Sequence, residues 1–258
     1  GYLQTWAGAS STVSVTSTTT QSPGNTVTVT VGPFDSVLVL GCFSIQATTS
    51  GGVLGKFSFK RNADAIPISS PQTPLQMISA TAASKARQVT MAHIDTPGAG
   101  QYEYSIGMSK VNSGDGDFAP ASGKRVVLGA VVIPTELIQV FYLNTPTTVT
   151  SDVWTAIISV TTTINNPEDT VLIVTNINFC PVTSTTMGHF TIFANVGGTV
   201  TNLGDANVGL QALRTGVAFE MILASMTLLH TPGVGGPVTY SIRAKVKTVG
   251  DNFKISNE

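Results

Sequence analysis

Two stretches of the chain repeat each other closely enough to restrict what it can fold into. Asp95-Thr96-Pro97-Gly98 leads through a short loop to Tyr104-Ser105-Ile106, and His230-Thr231-Pro232-Gly233 leads through a loop one residue longer to Tyr240-Ser241-Ile242. Each copy reads as strand, tight turn, strand. Proline presets φ at the second turn position, glycine takes the positive φ that follows, and Tyr-Ser-Ile alternates as a half-buried strand does. The matching spreads well beyond the turn. Asp35-Ser36-Val37-Leu38-Val39-Leu40 is matched by Asp169-Thr170-Val171-Leu172-Ile173-Val174 at an offset of 134, and Gly55-Lys56-Phe57-Ser58-Phe59 by Gly188-His189-Phe190-Thr191-Ile192 at 133. The turns lie 135 apart, and both Tyr104/Tyr240 and Gly114-Asp115/Gly250-Asp251 lie 136 apart. Drift this small is what short loop insertions between kept strands produce, so the sequence predicts one unit used twice.

The unit is built of strands. Thr26-Val27-Thr28-Val29-Thr30-Val31 alternates strictly, with β-branched residues on both faces, after a Ser22-Pro23-Gly24-Asn25 turn. A glycosylated Ser/Thr stalk is the competing reading of residues 11–31, and the regular valine spacing argues against it. The run Ser36 to Leu40 is continuously apolar after its serine and predicts a strand buried on both faces. Each half holds about eight such short runs separated by Gly, Pro, Asn and Ser, and only Ala80 to Arg87 could make a turn or two of helix. The expected fold is therefore all-β: two tandem antiparallel jelly-roll β-sandwich domains related by internal duplication.

The expected organisation is an N-terminal arm at 1–10, a first domain at 11–134, a packed linker at 135–146 and a second domain at 147–258. The arm, with Trp6, either packs on a neighbour or is the tail of a preceding module. The linker is bounded by Pro134 and Pro146, and its middle, Leu137 to Leu143, is too apolar to run free in water. At the 136 offset Glu258 falls on Ser122, so the second half has no counterpart of Lys124 to Pro134. A sandwich short of that strand would expose an unpaired edge. The expectation is that the natural chain continues past Glu258 with an apolar strand, or that another chain or the N-terminal lead fills the slot. A start at Gly1 without Met likewise suggests a piece of a longer or processed product.

Composition narrows the role. Charged residues make up 10% of the chain, against roughly 25% in an ordinary globular protein. The difference is made up by Ser, Thr, Gly and Asn, which leaves a polar but nearly uncharged surface with little like-charge repulsion between molecules. Such a surface suits a protein packed against neighbours. Thirteen basic and fourteen acidic residues give a net charge of −1, and the basic ones are scattered, so no nucleic-acid partner is expected. No apolar run approaches the roughly 18 residues of a membrane span, and no signal-peptide pattern opens the chain. Cys42 and Cys180 fall at non-equivalent places in the two halves and read as small buried hydrophobes.

No catalytic, cofactor-binding or metal-binding residue is assigned. His93, His189 and His230 show no metal-ligand spacing. Ser113-Gly114-Asp115-Gly116-Asp117 lacks the further acids of a calcium loop and reads as a turn. Glu168 and Asp169 are neighbours just before a strand and point to opposite faces, which glycoside hydrolysis cannot use. No Gly-x-Ser-x-Gly elbow occurs. Trp6, Trp154, Tyr102 and Tyr142 could stack on sugar rings, though aromatics in a sandwich more often serve its core or interfaces.

A family resemblance rests on the second half. Gly204-Asp205-Ala206 and Arg214, then Thr231-Pro232-Gly233 and Thr239-Tyr240-Ser241-Ile242-Arg243, resemble a domain that recurs in structural proteins of tailed phages and marine viruses. The first half keeps Asp95-Thr96-Pro97-Gly98 and Tyr104 but has Asn62-Ala63-Asp64-Ala65 in place of Gly-Asp-Ala, and the second has His230 where the family's turn carries Asp. The domain is similar to the tumour-necrosis-factor and complement-type jelly roll. The resemblance implies a virion structural protein without enzymatic activity, a capsid decoration, head fibre or spike, assembled as a homotrimer against other capsid or tail proteins. The alternative is a receptor-binding tail fibre or adhesin that grips a host-surface glycan. A polysaccharide depolymerase, the third class, would need paired acids in a groove.

Overall fold

A computed structural model of the chain describes residues 4–10, 14–20, 22, 24–49, 53–62, 64–65, 76–80, 86–121, 125–139, 146–183, 186–214, 218 and 222–256. The chain divides into two compact units, Gly1–Val140 and Phe141–Glu258. The first contains β1 (Gln4–Ser10), β2 (Thr26–Val31), β3 (Asp35–Ala47), β4 (Val53–Arg61), β5 (Asp64–Ala65), β6 (Gln76–Ala80), β7 (Ala86–Asp95), β8 (Gly100–Lys110), β9 (Phe118–Pro120) and β10 (Arg125–Pro134), followed by a 3-10 turn at Thr135–Leu137. One sheet has the order β1-β10-β3-β7, with β9 also on β3; the other has the order β2-β8-β4-β5, with β6 also on β4. All the pairings are antiparallel.

The core lies between these two sheets and follows from the sequence period. Along β2 the valines are buried and the threonines exposed. β3 buries Val37, Leu38 and Val39 in succession, as a run apolar on both faces must, and then alternates. From the facing sheet Phe57, Phe59, Tyr104, Ile106 and Met108 meet Val37, Val39, Phe43 and Ile45. This is a two-layer sandwich closed by apolar burial, without disulfides among the described residues.

The second unit contains β11 (Thr147–Val149), β12 (Thr155–Ile164), β13 (Val171–Pro181), β14 (Met187–Val196), β15 (Thr199–Asn202), β16 (Gln211–Arg214), β17 (Ile222–His230), β18 (Gly236–Val246) and β19 (Phe253–Ser256). Its sheets run β11-β19-β13-β17 and β12-β18-β14-β15, with β16 also on β14. Several strand partners match those of the first unit. Val37 faces Asp95 as Val171 faces His230, Phe59 faces Ile106 as Ile192 faces Ile242, and Ile45 faces Pro120 as Phe179 faces Ile255. The isolated bridge between Val15 and Phe118 recurs as the pairing of Val149 with Phe253.

The repeated glycine before each aromatic run now has a cause. A Cβ on Gly188 would lie 2.5 Å from Cε2 of Phe179, and one on Gly55 would lie 2.8 Å from Cζ of Phe57. Phenyl rings rest directly on the backbone there, which only glycine permits. In the second unit Phe179, Phe190 and Phe253 form a mutual cluster with centroids 4.8–5.8 Å apart. The Thr-Pro-Gly turns adopt the expected backbone, Gly98 at φ +84° and Gly233 at φ +73°.

Two sequence expectations are corrected. Ala80 closes β6 while Ala86 and Arg87 open β7, so neither end of Ala80–Arg87 is helical; residues 81–85 lie outside the described residues. Alanine's helix propensity is small and gives way to sheet pairing on both sides. The segment predicted as an arm is a strand of the first unit's own sheet, with β1 paired to β10 from Gln4–Val131 through Ser10–Arg125. Of the linker, Leu137 is exposed and residues 140–145 lie outside the described residues.

Candidate functional site

At the turn end of the first unit the last residues of β4 and β7 meet Tyr104 of β8. The Asp95 carboxylate accepts two hydrogen bonds from Nη1 of Arg61, at 2.9 and 2.8 Å, and one from the Tyr104 hydroxyl at 2.7 Å. Asp95 and Tyr104 are buried. Burial first, then the bond to Asp95, pushes the Tyr104 phenol far up, so it acts only as a donor. Arg61 also lies over the Tyr102 ring, whose hydroxyl donates to the carbonyl of Pro97 in the turn. The second unit solves the same problem without charge. His230 replaces Asp95 and places Nδ1 2.8 Å from the Tyr240 hydroxyl, while Ala194 stands opposite Tyr240 where Arg61 stands opposite Tyr104. Losing the acid and the base together leaves no buried ion unpaired.

On the outer face of β14 a loop folds over the strand. Asp205 Oδ1 accepts the backbone N–H groups of Asn207 and Val208, both at 2.8 Å, which holds its carboxyl below the usual range. The loop buries His189, whose Nδ1 lies 3.0 Å from the Asn207 carbonyl, leaving its buried Nε2 without a hydrogen bond. The Trp154 indole donates to the Ala206 carbonyl at 3.1 Å. Lys245 Nζ sits 4.5 Å from the Trp154 ring, and the Arg243 guanidinium sits 4.1 Å from that of Phe193. Trp154 therefore pins the Gly-Asp loop, with one ring face taken by a lysine.

The remaining sequence candidates are dispersed. Among the described residues no three His, Cys, Asp or Glu side chains come together to hold a metal. Asp115 accepts the Asn112 N–H within its turn, and Asp117 pairs with Lys110 at 2.9 Å. Asp169 accepts the Asn166 N–H, and Glu168 beside it is exposed. Cys42 and Cys180 are free and half-buried rather than buried, because each lies on the outer, alternate face of its strand. Burial raises the Cys180 thiol. The side chain of Trp6 and all of Tyr142 lie outside what the structure describes.

All three histidines are held below the ordinary imidazole pKa, burial being the first cause in each. The unfolded chain takes up protons near about pH 6.5 and the folded chain only further down, so their contribution to stability is complete above that value and is lost as the pH falls. The melting temperature is expected to fall between about pH 6.5 and 5, and His230→Gln is expected to flatten part of that slope. Melts that are unchanged or higher near pH 5.5 would contradict this.

The largest difference between the units is at a sheet edge. β10 lies along β3 from Val127–Cys42 to Pro134–Asp35. Its counterpart edge on β13 is reached by β19 only at Asn178–Pro181, so among the described residues no strand flanks Val171–Val174 on the side away from β17. Burial follows. Val37 and Val39 are fully buried, whereas Val171 and Ile173 are only half-buried. On the outer face Leu38, beside Val131 of β10, is 5% exposed, while Leu172 is 44% and its cross-strand partner Leu229 67% exposed. The sequence offset locates this gap. The Arg61/Ala194 exchange was also present at the 133 offset but carries meaning only once the strands are paired.

No protein-family model matches the chain. No curated protein sequence matches it either. Among solved structures it is similar to the STIV MCP, at 9% identity over 98% of this chain and 95% of that one, TM-score 0.25. It is also similar to the CBM22-1-CBM22-2 tandem domain of Paenibacillus barcinonensis Xyn10C, at 11% identity over 90% and 82%, TM-score 0.26. A third is a chain of Broad Bean Stain Virus, at 13% identity over 86% and 77%, TM-score 0.22. Scores of this size assign neither family nor function.

Proposed function

We propose that this chain is a structural component of a virus particle, in the manner of a phage capsid decoration, head fibre or spike, assembled as a homotrimer of jelly-roll units and without enzymatic activity. The observation that supports the reading is a strand edge of the second unit, Val171–Val174, that no other strand flanks among the described residues on the side away from β17, on a chain with few charges. A protein that stays alone in water blunts such an edge with charge or proline and keeps large apolar side chains covered. Here Phe34, Leu137, Val153, Leu229 and Val249 are each more than half exposed, and only 10% of residues are charged. Sibling subunits and neighbouring particle proteins would cover these surfaces. The threefold arrangement comes from the resemblance to tumour-necrosis-factor-like domains.

The glycan-binding alternative has less to stand on. The Trp154 indole N–H and one ring face are occupied, and the Tyr102 hydroxyl is bonded within its own turn. The test is immunogold labelling of particles with antibody to the purified chain, joined to its mass by light scattering. Label on the head or spike and a mass three times 26.8 kDa are expected. Unlabelled particles, or a stable monomer, would overturn the reading.

A further inference from the structure

We propose that the loop at 203–210 is an acid-released cover over the outer face of β14, and that protonation of His189 lifts its tip. His189 lies beneath the loop and is 6% exposed. Its Nδ1 stands 3.0 Å from the Asn207 carbonyl, and a carbonyl only accepts, so Nδ1 carries the proton of the neutral ring and Nε2 is a bare nitrogen. Among the described residues that buried Nε2 has no hydrogen-bond partner. A second proton would make it a buried, charged N–H with nothing to accept from it. The closed loop disfavours such a group, and water reaching an open one satisfies it.

The charges around the ring act in the same direction. Burial is the first cause that holds its pKa down; the Asn207 bond works the other way, and Lys245 and Lys247 add to the burial. Lys245 of β18 stands directly opposite His189, and Lys247 follows just past the end of that strand, its N–H bonded to the Met187 carbonyl. β18 also sets Arg243 opposite Thr191, while β16 sets Ala212 opposite His189 and Arg214 opposite Met187 on the same face. β14 itself has no other charged residue. The acids on the packed segments are Asp205, with Oδ1 already bonded to the N–H groups of Asn207 and Val208, and Asp152, exposed on the segment that leads to Trp154. The base of the loop is paired to β14 through Leu203 and Leu210. Its tip is tied at two carbonyls, that of Asn207 by His189 and that of Ala206 by the Trp154 indole, and Ala206, Asn207 and Val208 are all exposed, so little burial opposes opening. Opening uncovers a cationic strip of Arg214, Arg243, Lys245 and Lys247, to which His189 adds a charge. The device stands whether or not the chain belongs to a particle.

The test follows the Trp154 indole N–H by NMR in the whole chain, because that group loses the Ala206 carbonyl when the tip lifts. From pH 7.5 to 5 its exchange with water, corrected for the intrinsic pH dependence, is expected to quicken at least ~10-fold. An imidazole of ordinary pKa, about 6.5, that is refused its proton in the closed form allows up to ~30-fold at pH 5. In His189→Gln, whose amide can donate to the Asn207 carbonyl without titrating, the change is expected to stay under ~2-fold. No quickening, equal quickening in His189→Gln, or quickening of the same size at the core amides of Phe190 and Ile192 would each overturn the proposal. Should His189→Gln fail to fold, the unaltered chain decides. The His189 ring and the Ala206 and Asn207 amide signals are expected to titrate together, with one midpoint below about 6.5. Separate midpoints, or a shared one at or above that value, would overturn it.

Discussion

Asp95→Ala is expected to be among the most damaging single substitutions in the first unit. It removes the acceptor that satisfies Arg61 and Tyr104 together, and Tyr104 is fully buried, so its hydroxyl loses its partner where water cannot replace it. Breaking a buried pair from one side costs about 3–5 kcal/mol; the Arg61 side chain keeps some access to water, which places this case near about 3 kcal/mol. For a unit of this size that is a fall of about 10 °C in melting temperature, measurable by calorimetry. Asp95→Asn keeps an acceptor and is expected to lose about half as much.

The second unit supplies a sharper control. It carries His230 and Ala194 where the first carries Asp95 and Arg61. Asp95→His alone leaves the Arg61 charge facing an imidazole, and adding Arg61→Ala removes that conflict. The double variant is expected to be more stable than Asp95→His by about 1 kcal/mol, a coupling typical of residues in one network. Simple additivity would show that Arg61 and Asp95 do not work as a pair.

What could be read in advance was whatever the strand period carries. The Thr-Val alternation of β2, the twofold apolar run of β3 and the Thr-Pro-Gly turns are local signals, and they place strands and turns correctly. β1 was not legible as a strand because Gln4-Thr5-Trp6-Ala7-Gly8-Ala9-Ser10 is weakly β-prone and is made one by β10, more than 110 residues away. At Ala80–Arg87 only the ends can be compared: Ala80, Ala86 and Arg87 are held in strands by partners distant in sequence, and residues 81–85 lie outside the described residues. The Arg61–Asp95–Tyr104 cluster was invisible, since nothing in a single charged residue says whether it will be buried or paired. Trp154 was open in the sequence to a core, interface or sugar-stacking role, with core or interface favoured, and its bond to the Gly-Asp loop depends on a partner 52 residues away.

The expected lack of a strand belongs to a different category. It came from comparing the halves rather than from any propensity, and among the described residues Val171 and Ile173 are half-buried and Leu172 exposed where Val37, Val39 and Leu38 are sealed. That asymmetry links the fold to the proposed role, because an edge with no charge on it is stable in a particle and hazardous in solution.

The second large effect is therefore kinetic and lies at this edge. In a sealed strand the ladder amides exchange only through large openings, whereas amides facing an empty edge exchange from the folded state. In the chain Gly1–Glu258, amides of Val171–Val174 that point away from β17 are expected to exchange at least ~100-fold faster than the corresponding amides of Val37–Leu40. Protection equal to that of Val37–Leu40 would mean that the second unit closes itself, and would contradict the account at its centre.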